Sequence, residues 1–476
     1  HEGPAAGLGR QHRFTRIATG WVSSAPVSPT DDDGDGIAEA DPADGESLLD
    51  VPAGTAVELE AVRCGSVWAP AVGRPPGDER RRRHMRPATL QEVAELEALR
   101  WGAEWLCEEE TGNLPWPADM GGALPPLSVD RLIGALRSFP EGTGLGWDKM
   151  HPRAWLRLGD AVLTSLLHFF VLVEATGRWP TDIGHVLIML LAKAGGGFRP
   201  IGLFPSVVRI WMRVRLADAV VWQSLYERPW LFASSGKGAE VAAWKQAARS
   251  EQAAARGMAY AAVLLDLVKA FERVPHDILV RHAGALGYNL RLLRLSLAGY
   301  RLPRTLQVDG VCSQLLVATR GITAGAGHAV IELRLLLSDL WDRVHVLHPA
   351  IALTVYVDDT GLEAKGTSKQ VVRELSAATL MVAEGIAELR MELSGTKCVA
   401  CGSTAALGAL VAAACRPRLQ LEVARRPCSL GVGLAGGRRP ASHALWKRLR
   451  TFRKRLPRFG AIRRLGVSTA RLLKTG

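Results

Sequence analysis

A strand buried among its neighbours does not end on a carboxylate without cause, and this chain carries two such places. Ala262-Val263-Leu264-Leu265 is apolar, of strand length, and ends on Asp266. Residues 351–362 read as strand, tight turn, strand, with Asp358 and Asp359 in the middle. An unpaired charge is costly to take out of water. Adjacent strand residues face opposite ways, and a pair at a hairpin tip splays its carboxylates around the turn. Two or three carboxylates brought together repel one another strongly, so they favour divalent cations. Hard oxygen donors with room for phosphate oxygens suit magnesium. Two such ions can activate an attacking hydroxyl and neutralise a leaving pyrophosphate. Each Asp taken singly has a plainer reading as turn chemistry. Two acidic sites, each on an apolar strand, weaken that reading.

Around these sites the periodicity switches between strands and helices. Thr89 can cap a helix over 90–107, and another runs from Asp160 to a stop at Gly177. Short apolar runs at 186–192 and 261–265 have strand length. Helical spacing covers 240–256, 276–286, 328–340 and 371–393. Strands mixed with helices imply an α/β or α+β core from about 180 to 400.

The charge is uneven. Lys and Arg number 59 against 47 Asp and Glu, a net of +12. Residues 423–476 hold 15 of those cations and no acid, so the other 422 residues are close to neutral. Such a tail attracts a polyanion, and nucleic acid is the usual one. A solvated basic face or an anionic membrane surface is the plainer alternative. Leu445, Leu449 and Phe452 stand at helical spacing among its basic residues. Residues 1–60 lack apolar periodicity and read as a disordered acidic leader. Asp31 to Gly36 imitates the start of a calcium loop, but Pro42 stands where a bidentate Glu is needed.

A hydrophobic content of 48% excludes disorder of the whole chain. Seven Cys do not make a disulfide framework, so a reduced, intracellular setting is expected. The basic run Arg80 to Arg83 would suit a nuclear address, with an exposed loop as the plainer reading. The best membrane candidate, 161–175, falls short of the roughly 20 residues a span needs and contains His168 and Glu174. No membrane partner is therefore expected. The chain opens on His1, which leads us to expect a piece of a longer protein.

The order of motifs resembles the reverse transcriptases of non-LTR retrotransposons. Residues 262–275, AVLLDLVKAFERVP, resemble motif A of that family. Tyr356-Val357-Asp358-Asp359 resembles its Tyr-x-Asp-Asp box. Between them Arg320-Gly321-Ile322-Thr323-Ala324-Gly325 is similar to motif B. Upstream, residues 193–201 resemble the fingers segment with its Lys and Arg-Pro-Ile, and Gly144 to Asp148 resemble the loop before it. Residues 393–397 resemble motif D, and Leu430-Gly431-Val432 the start of motif E. The matches keep the family's order over roughly 140–435.

The resemblance implies an α+β right-hand polymerase, helix-rich, with an antiparallel palm sheet backed by helices. Its divisions would be a helical N-terminal extension (61–135), fingers (136–260), palm (261–420, interleaved with the fingers) and a basic partial thumb and tail (421–476). It also implies RNA-directed DNA polymerase activity with an RNA template, a DNA primer and dNTPs. Two Mg2+ ions would be held by Asp266, Asp358 and Asp359 with the carbonyl of Leu267; Mn2+ is an alternative. Phe271 would lie under the sugar and exclude a 2′-hydroxyl, although core packing explains a Phe equally well. Arg199 and Lys193 would hold the triphosphate. Lys397 would be the proton donor to pyrophosphate, and Gly321 and Gly325 would let backbone approach the templating pair. Tyr356 would border the nucleotide.

Arg320 and Thr323-Ala324-Gly325 depart from the commoner Gln before motif B and Pro-Leu-Ser after it. That bears on nucleotide selectivity at this contact. Three rivals remain at this stage: a viral-type RNA-dependent RNA polymerase, a catalytically silent RNA-binding relative, and a decayed fragment that no longer folds. Cys398-x-x-Cys401 with Cys415 and Cys428 lacks the second close pair of a zinc ribbon, so core packing is expected there.

Overall fold

The computed structural model describes residues 60–64, 67–71, 88–107, 113–193, 197–434 and 442–464. The leader short of Glu60, the calcium-like run, Arg80 to Arg83 and the glycines at 195–196 lie outside these residues. The first elements are a hairpin of β1 (Glu60–Cys64) and β2 (Val67–Ala71), then α1 (Leu90–Trp105), α2 (Val129–Arg137) and α3 (Asp160–Thr176). The expected helical extension over 61–135 has a hairpin ahead of its helices. Next come β3 (Val186–Ala192), β4 (Phe198–Leu203), α4 (Ser206–Leu225), α5 (Ala239–Ala255) and β5 (Ala259–Leu265). They are followed by α6 (His276–Ala285), α7 (Leu290–Tyr300), β6 (Arg304–Val308), β7 (Val311–Cys312) and α8 (Ala329–Leu347). The hairpin strands β8 (Ala352–Tyr356) and β9 (Asp359–Gly366) precede α9 (Ser368–Glu388), β10 (Val399–Gly402) and α10 (Ala405–Cys415). Short strands β11 (Glu422–Val423), β12 (Cys428–Ser429) and β13 (Val432–Gly433) lead to α11 (His443–Arg464).

The architecture is α+β with largely antiparallel sheets. One sheet has the order β11-β10-β5-β9-β8, antiparallel except for β10 with β11. The other runs β4-β3-β6-β7, with β3 and β6 parallel. The central strand β5 shows why an apolar run without alternation belongs here. Ala261, Val263 and Leu265 face the main core, to which α9 gives Val371, Leu375 and Val382. Tyr260, Ala262 and Leu264 face a smaller cluster with Ala253 of α5, Cys401 and Leu434. Both faces are covered, so both parities are apolar.

Local signals set most boundaries. Thr89 and Glu92 close a capping box at α1, and Thr367 with Gln370 does the same at α9. Gly177 ends α3 in the left-handed conformation. Helix α9 stops short of the expected 393: Arg390 turns left-handed, and Leu393 pairs instead with Leu267. The apolar spacing continues past the helix because Leu389 and Met391 remain buried.

Glu174 interrupts the apolar face of α3 for a reason the sequence did not expose. It accepts from Trp211 Nε1 and from Arg215 Nε and Nη2 at 2.6–2.7 Å, while Arg215 also reaches Asp218 at 2.9 Å. The Arg215 side chain is 2% exposed. No helix among the described residues is long and apolar enough to cross a membrane. Arg215→Met is expected to lower stability by roughly 3 kcal/mol, because it leaves Glu174 without its cation in the interior, while Asp218 keeps Arg131 at 2.8 Å. Urea denaturation measures this, and a loss under about 1 kcal/mol would contradict a structural role for the network.

Candidate active-site cleft

Sheet register brings the distant acids together. Strand β5 pairs with β9 from Ala259↔Gly366 to Leu265↔Thr360. One step further along this register, Asp266 falls opposite Asp359, which is itself paired across the hairpin with Tyr356. Asp266, Gly361 and Glu363 share the face of Ala262 and Leu264, on the side away from the main core, and Asp359 falls on the same face. Asp358 is the second residue of the two-residue turn between β8 and β9. Val357, the first, has φ 60°. Positive φ at the first central position alone marks a type II′ turn, where Gly is usual. A β-branched residue there is strained, by about 1–3 kcal/mol. The turn thus holds Asp358 at the tip of the sheet.

Asp266, Asp359 and Lys397 line a cleft of about 200 Å³ with Gln246, Ser429 and Leu430. The backbone of Asp266 is clamped from the β10 side. Its N–H donates to Cys398 Sγ at 3.4 Å, and its carbonyl accepts from Ser394 N at 2.9 Å. Val268 N donates to Glu392 O, so Leu267 and Leu393 form a bridge in which neither residue's own amide is used. The Leu267 carbonyl is thereby turned towards the other edge, the side of the Asp358 turn. Asp266 Oδ2 is buried and accepts no hydrogen bond; its neighbour is the Lys397 ammonium at 3.2 Å.

The electrostatics are those of a cluster short of positive charge between its acids. Partial burial, then repulsion from Asp358 and Asp266, pushes the Asp359 carboxyl up to about 6. Burial raises Asp358, helped by Asp266 and opposed by Arg199 and Lys397. Cations gather nearby, and the charge of Arg199 is felt at Asp358. Lys193 follows β3, and Arg199 sits across the hairpin from Leu191; both are exposed. Partial burial, then repulsion from Lys397, Arg199, Arg100 and Lys269, holds the Lys193 ammonium below its usual value. Acids with cations close by suit a ligand that carries both metal and phosphate.

The residues present fit a divalent cation. Their donors are hard oxygens, one of them buried without a hydrogen bond, and their mutual repulsion would be relieved by binding. Among the described residues no set of three or more His, Cys, Asp or Glu forms a ready-made metal cage.

The other expected residues occupy the loops beside the acids. Phe271 is partly buried against the core, and its carbonyl accepts from Ile322 N at 2.8 Å. Gly321 has φ 87° and donates to Val274 O; a Cβ there would stand 2.4 Å from Glu272 O. Gly325, at φ 97°, lies against Gly202. Tyr356 is half-buried at the end of β8. Asp148 is structural here, accepting from Ser206 N at 2.6 Å at the start of α4.

Several contributors were not legible beforehand. His276 had no nameable partner in the sequence; buried, and pushed down to about 3 mainly by that burial, it contacts Gly321 O at 2.8 Å. Cys398 backs Asp266, and Cys398, Cys401 and Cys415 are free and buried, in keeping with core packing. Gln246 of α5, 1% exposed, accepts from Ser429 Oγ at 2.8 Å and ties β12 to the cleft. Glu104 of α1 binds Lys269 and Arg273 in the loop after Asp266. The spacing of Trp101, Glu104 and Trp105 on one helical face was its available signal.

Between the ordinary Asp value of 3.8 and about 6, the folded chain holds a proton on Asp359 that the unfolded chain has released. Stability therefore falls as pH rises through that window. In metal-free buffer, Asp359→Asn should raise Tm by roughly 2 °C at pH 8 and by nothing at pH 4. An equal difference at both pH values would contradict the repulsion.

Residues 191–411 match the family described as Reverse transcriptase (RNA-dependent DNA polymerase). No curated protein matches the chain.

Proposed function

We propose that this chain, whose residues 191–411 form a reverse transcriptase domain, is the RNA-directed DNA polymerase of a non-LTR retroelement. The observation that carries the reading is the register that sets Asp266 beside the Asp358–Asp359 turn, with Lys397 against Asp266 and the charge of Arg199 felt at Asp358. In this reading 261–420 is the palm, 136–260 the fingers, 421–476 a partial thumb and tail, and 61–135 an N-terminal extension. An intracellular setting, with a nuclear one for RNA-templated synthesis at chromosomal DNA, accompanies it.

The reaction joins a primer 3′-oxygen to the α-phosphorus of a dNTP and breaks the bond to the β-phosphate. Asp266, Asp358 and Asp359, with the Leu267 carbonyl, would hold magnesium, which would acidify the attacking hydroxyl, its proton passing to solvent, and would neutralise the leaving pyrophosphate. Arg199 makes forked hydrogen bonds to the triphosphate, and Lys193 adds a point charge. Lys397 donates a proton to pyrophosphate as it leaves. The Phe271 ring lies against the sugar and rejects a 2′-hydroxyl. Most of the acceleration comes from positioning and charge neutralisation. The basic helix α11 grips the template–primer backbone, with affinity that falls steeply as salt rises.

Primer extension on an RNA template with Mg2+ and dNTPs tests this. The parent chain should extend, and Asp358→Asn should be slower by roughly a hundredfold or more. Equal product from both would defeat the assignment. Template binding by a parent that never extends would favour a silent RNA-binding protein. Phe271→Ala should admit NTPs roughly tenfold better relative to dNTPs. A parent that already prefers NTPs would point instead to an RNA-dependent RNA polymerase.

A further inference from the structure

We propose that Glu104, on a helix outside the matched domain, is a positioning residue for the loop 266–275 and through it sets how tightly and selectively a nucleotide is bound. The inference rests on the polymerase reading for its kinetic consequence, but not for its structural content.

Glu104 sits at the last turn of α1 with its side chain 16% exposed. Both carboxylate oxygens are engaged by the loop: Oε1 accepts from Lys269 Nζ at 2.6 Å and Oε2 from Arg273 Nε at 2.8 Å. These partners flank Phe271, and Arg273 N donates to Lys269 O at 3.1 Å, so the segment is a single tight turn. Lys269 has φ 48°, a left-handed conformation that an L residue other than Gly rarely holds unaided. Its ammonium also lies 5.0 Å from the Trp101 ring centroid, one helical turn before Glu104.

The same helix end holds the neighbouring glycine loop. Trp105 O accepts from Thr319 N at 2.9 Å and Arg320 N at 3.2 Å, and Glu104 O accepts from Arg320 Nε at 2.8 Å. Gly321 and Ile322 then donate back to Val274 and Phe271. The backbone that carries Phe271 is thus held on one side by Glu104 directly and on the other through residues 319–322. Phe271 is partly buried against the core, so the placement of this backbone decides how its ring is presented on the open side. Neutralising Glu104 removes the carboxylate shared by Lys269 and Arg273; Arg273 keeps Glu392 at 2.5 Å, while the left-handed Lys269 loses its ion pair and the turn its tie to α1.

The test compares Glu104→Gln, Glu104→Asp, Lys269→Gln and the double variant Glu104→Gln/Lys269→Gln with the parent chain. Amide hydrogen exchange should quicken at 266–275 and 319–322 in Glu104→Gln, stay unchanged at 352–366, and recover in Glu104→Asp. In single-nucleotide addition, Glu104→Gln should raise the dNTP KM and lower dNTP-over-NTP preference, each on the order of tenfold, with template–primer affinity unchanged. The double variant should be no worse than the worse single variant, as expected for partners in one interaction. Faster exchange throughout the chain, or a fall in kcat with KM and preference unchanged, would overturn the proposal in favour of a merely structural role. Unchanged exchange in the loop would overturn it outright. A parent chain that adds no nucleotide would sink the polymerase reading, while the exchange data would still decide whether Glu104 holds the loop.

Discussion

Mutual repulsion among three carboxylates at one end of a sheet is the constraint around which this molecule is arranged. The sheet places Asp266 and Asp359 on one face, and the turn puts Asp358 beside them. Nothing about apolar burial favours that outcome. Asp359 is driven well up in pKa, and Asp266 keeps an oxygen without a hydrogen bond. Natural structures tolerate such local conflict mainly where function needs it. Strain in the backbone points the same way: Lys269, three residues after Asp266, and Val357, just before Asp358, both sit at positive φ without being glycine.

The rest of the fold supplies what that conflict requires. Strand β5 is central in its sheet and covered on both faces, which makes Asp266 a fixed point. Cys398, Ser394 and Glu392 hold the backbone around it from one edge. The Val274–Gly321 and Phe271–Ile322 hydrogen bonds join the loop after Asp266 to the glycine loop, and His276 supports that junction from the buried side. Nearby, the β3–β4 hairpin presents Lys193 and Arg199 without burying them.

The strands and helices that carry strong local signals were legible in the sequence. Val186–Ala192 matched residue for residue, and the capping residues Thr89 and Gly177 marked real helix ends. The acids were legible because carboxylates interrupt apolar strands, a pattern with few structural causes. What the sequence hid were partners made by long-range contact. Phe198–Leu203 contains a Pro and alternates poorly, and it is a strand because β3 pairs with it. Helix α9 was read too long because apolar spacing persists through a buried loop. Glu174, His276, Gln246 and Glu104 each looked like isolated polar residues, since their partners lie tens to hundreds of positions away. Periodicity reports which face a residue occupies, not what it meets there.

Backbone cleavage by Fe2+ substituted for Mg2+ tests the convergence of the acids most directly, since iron bound at a site cuts the chain nearest to it. The structure predicts cuts at two separate places, around 265–267 and around 357–360, both suppressed together by added Mg2+ and both lost in Asp266→Asn. Cleavage at only one of these places, or cuts that Mg2+ does not suppress, would contradict a cation shared by the three carboxylates.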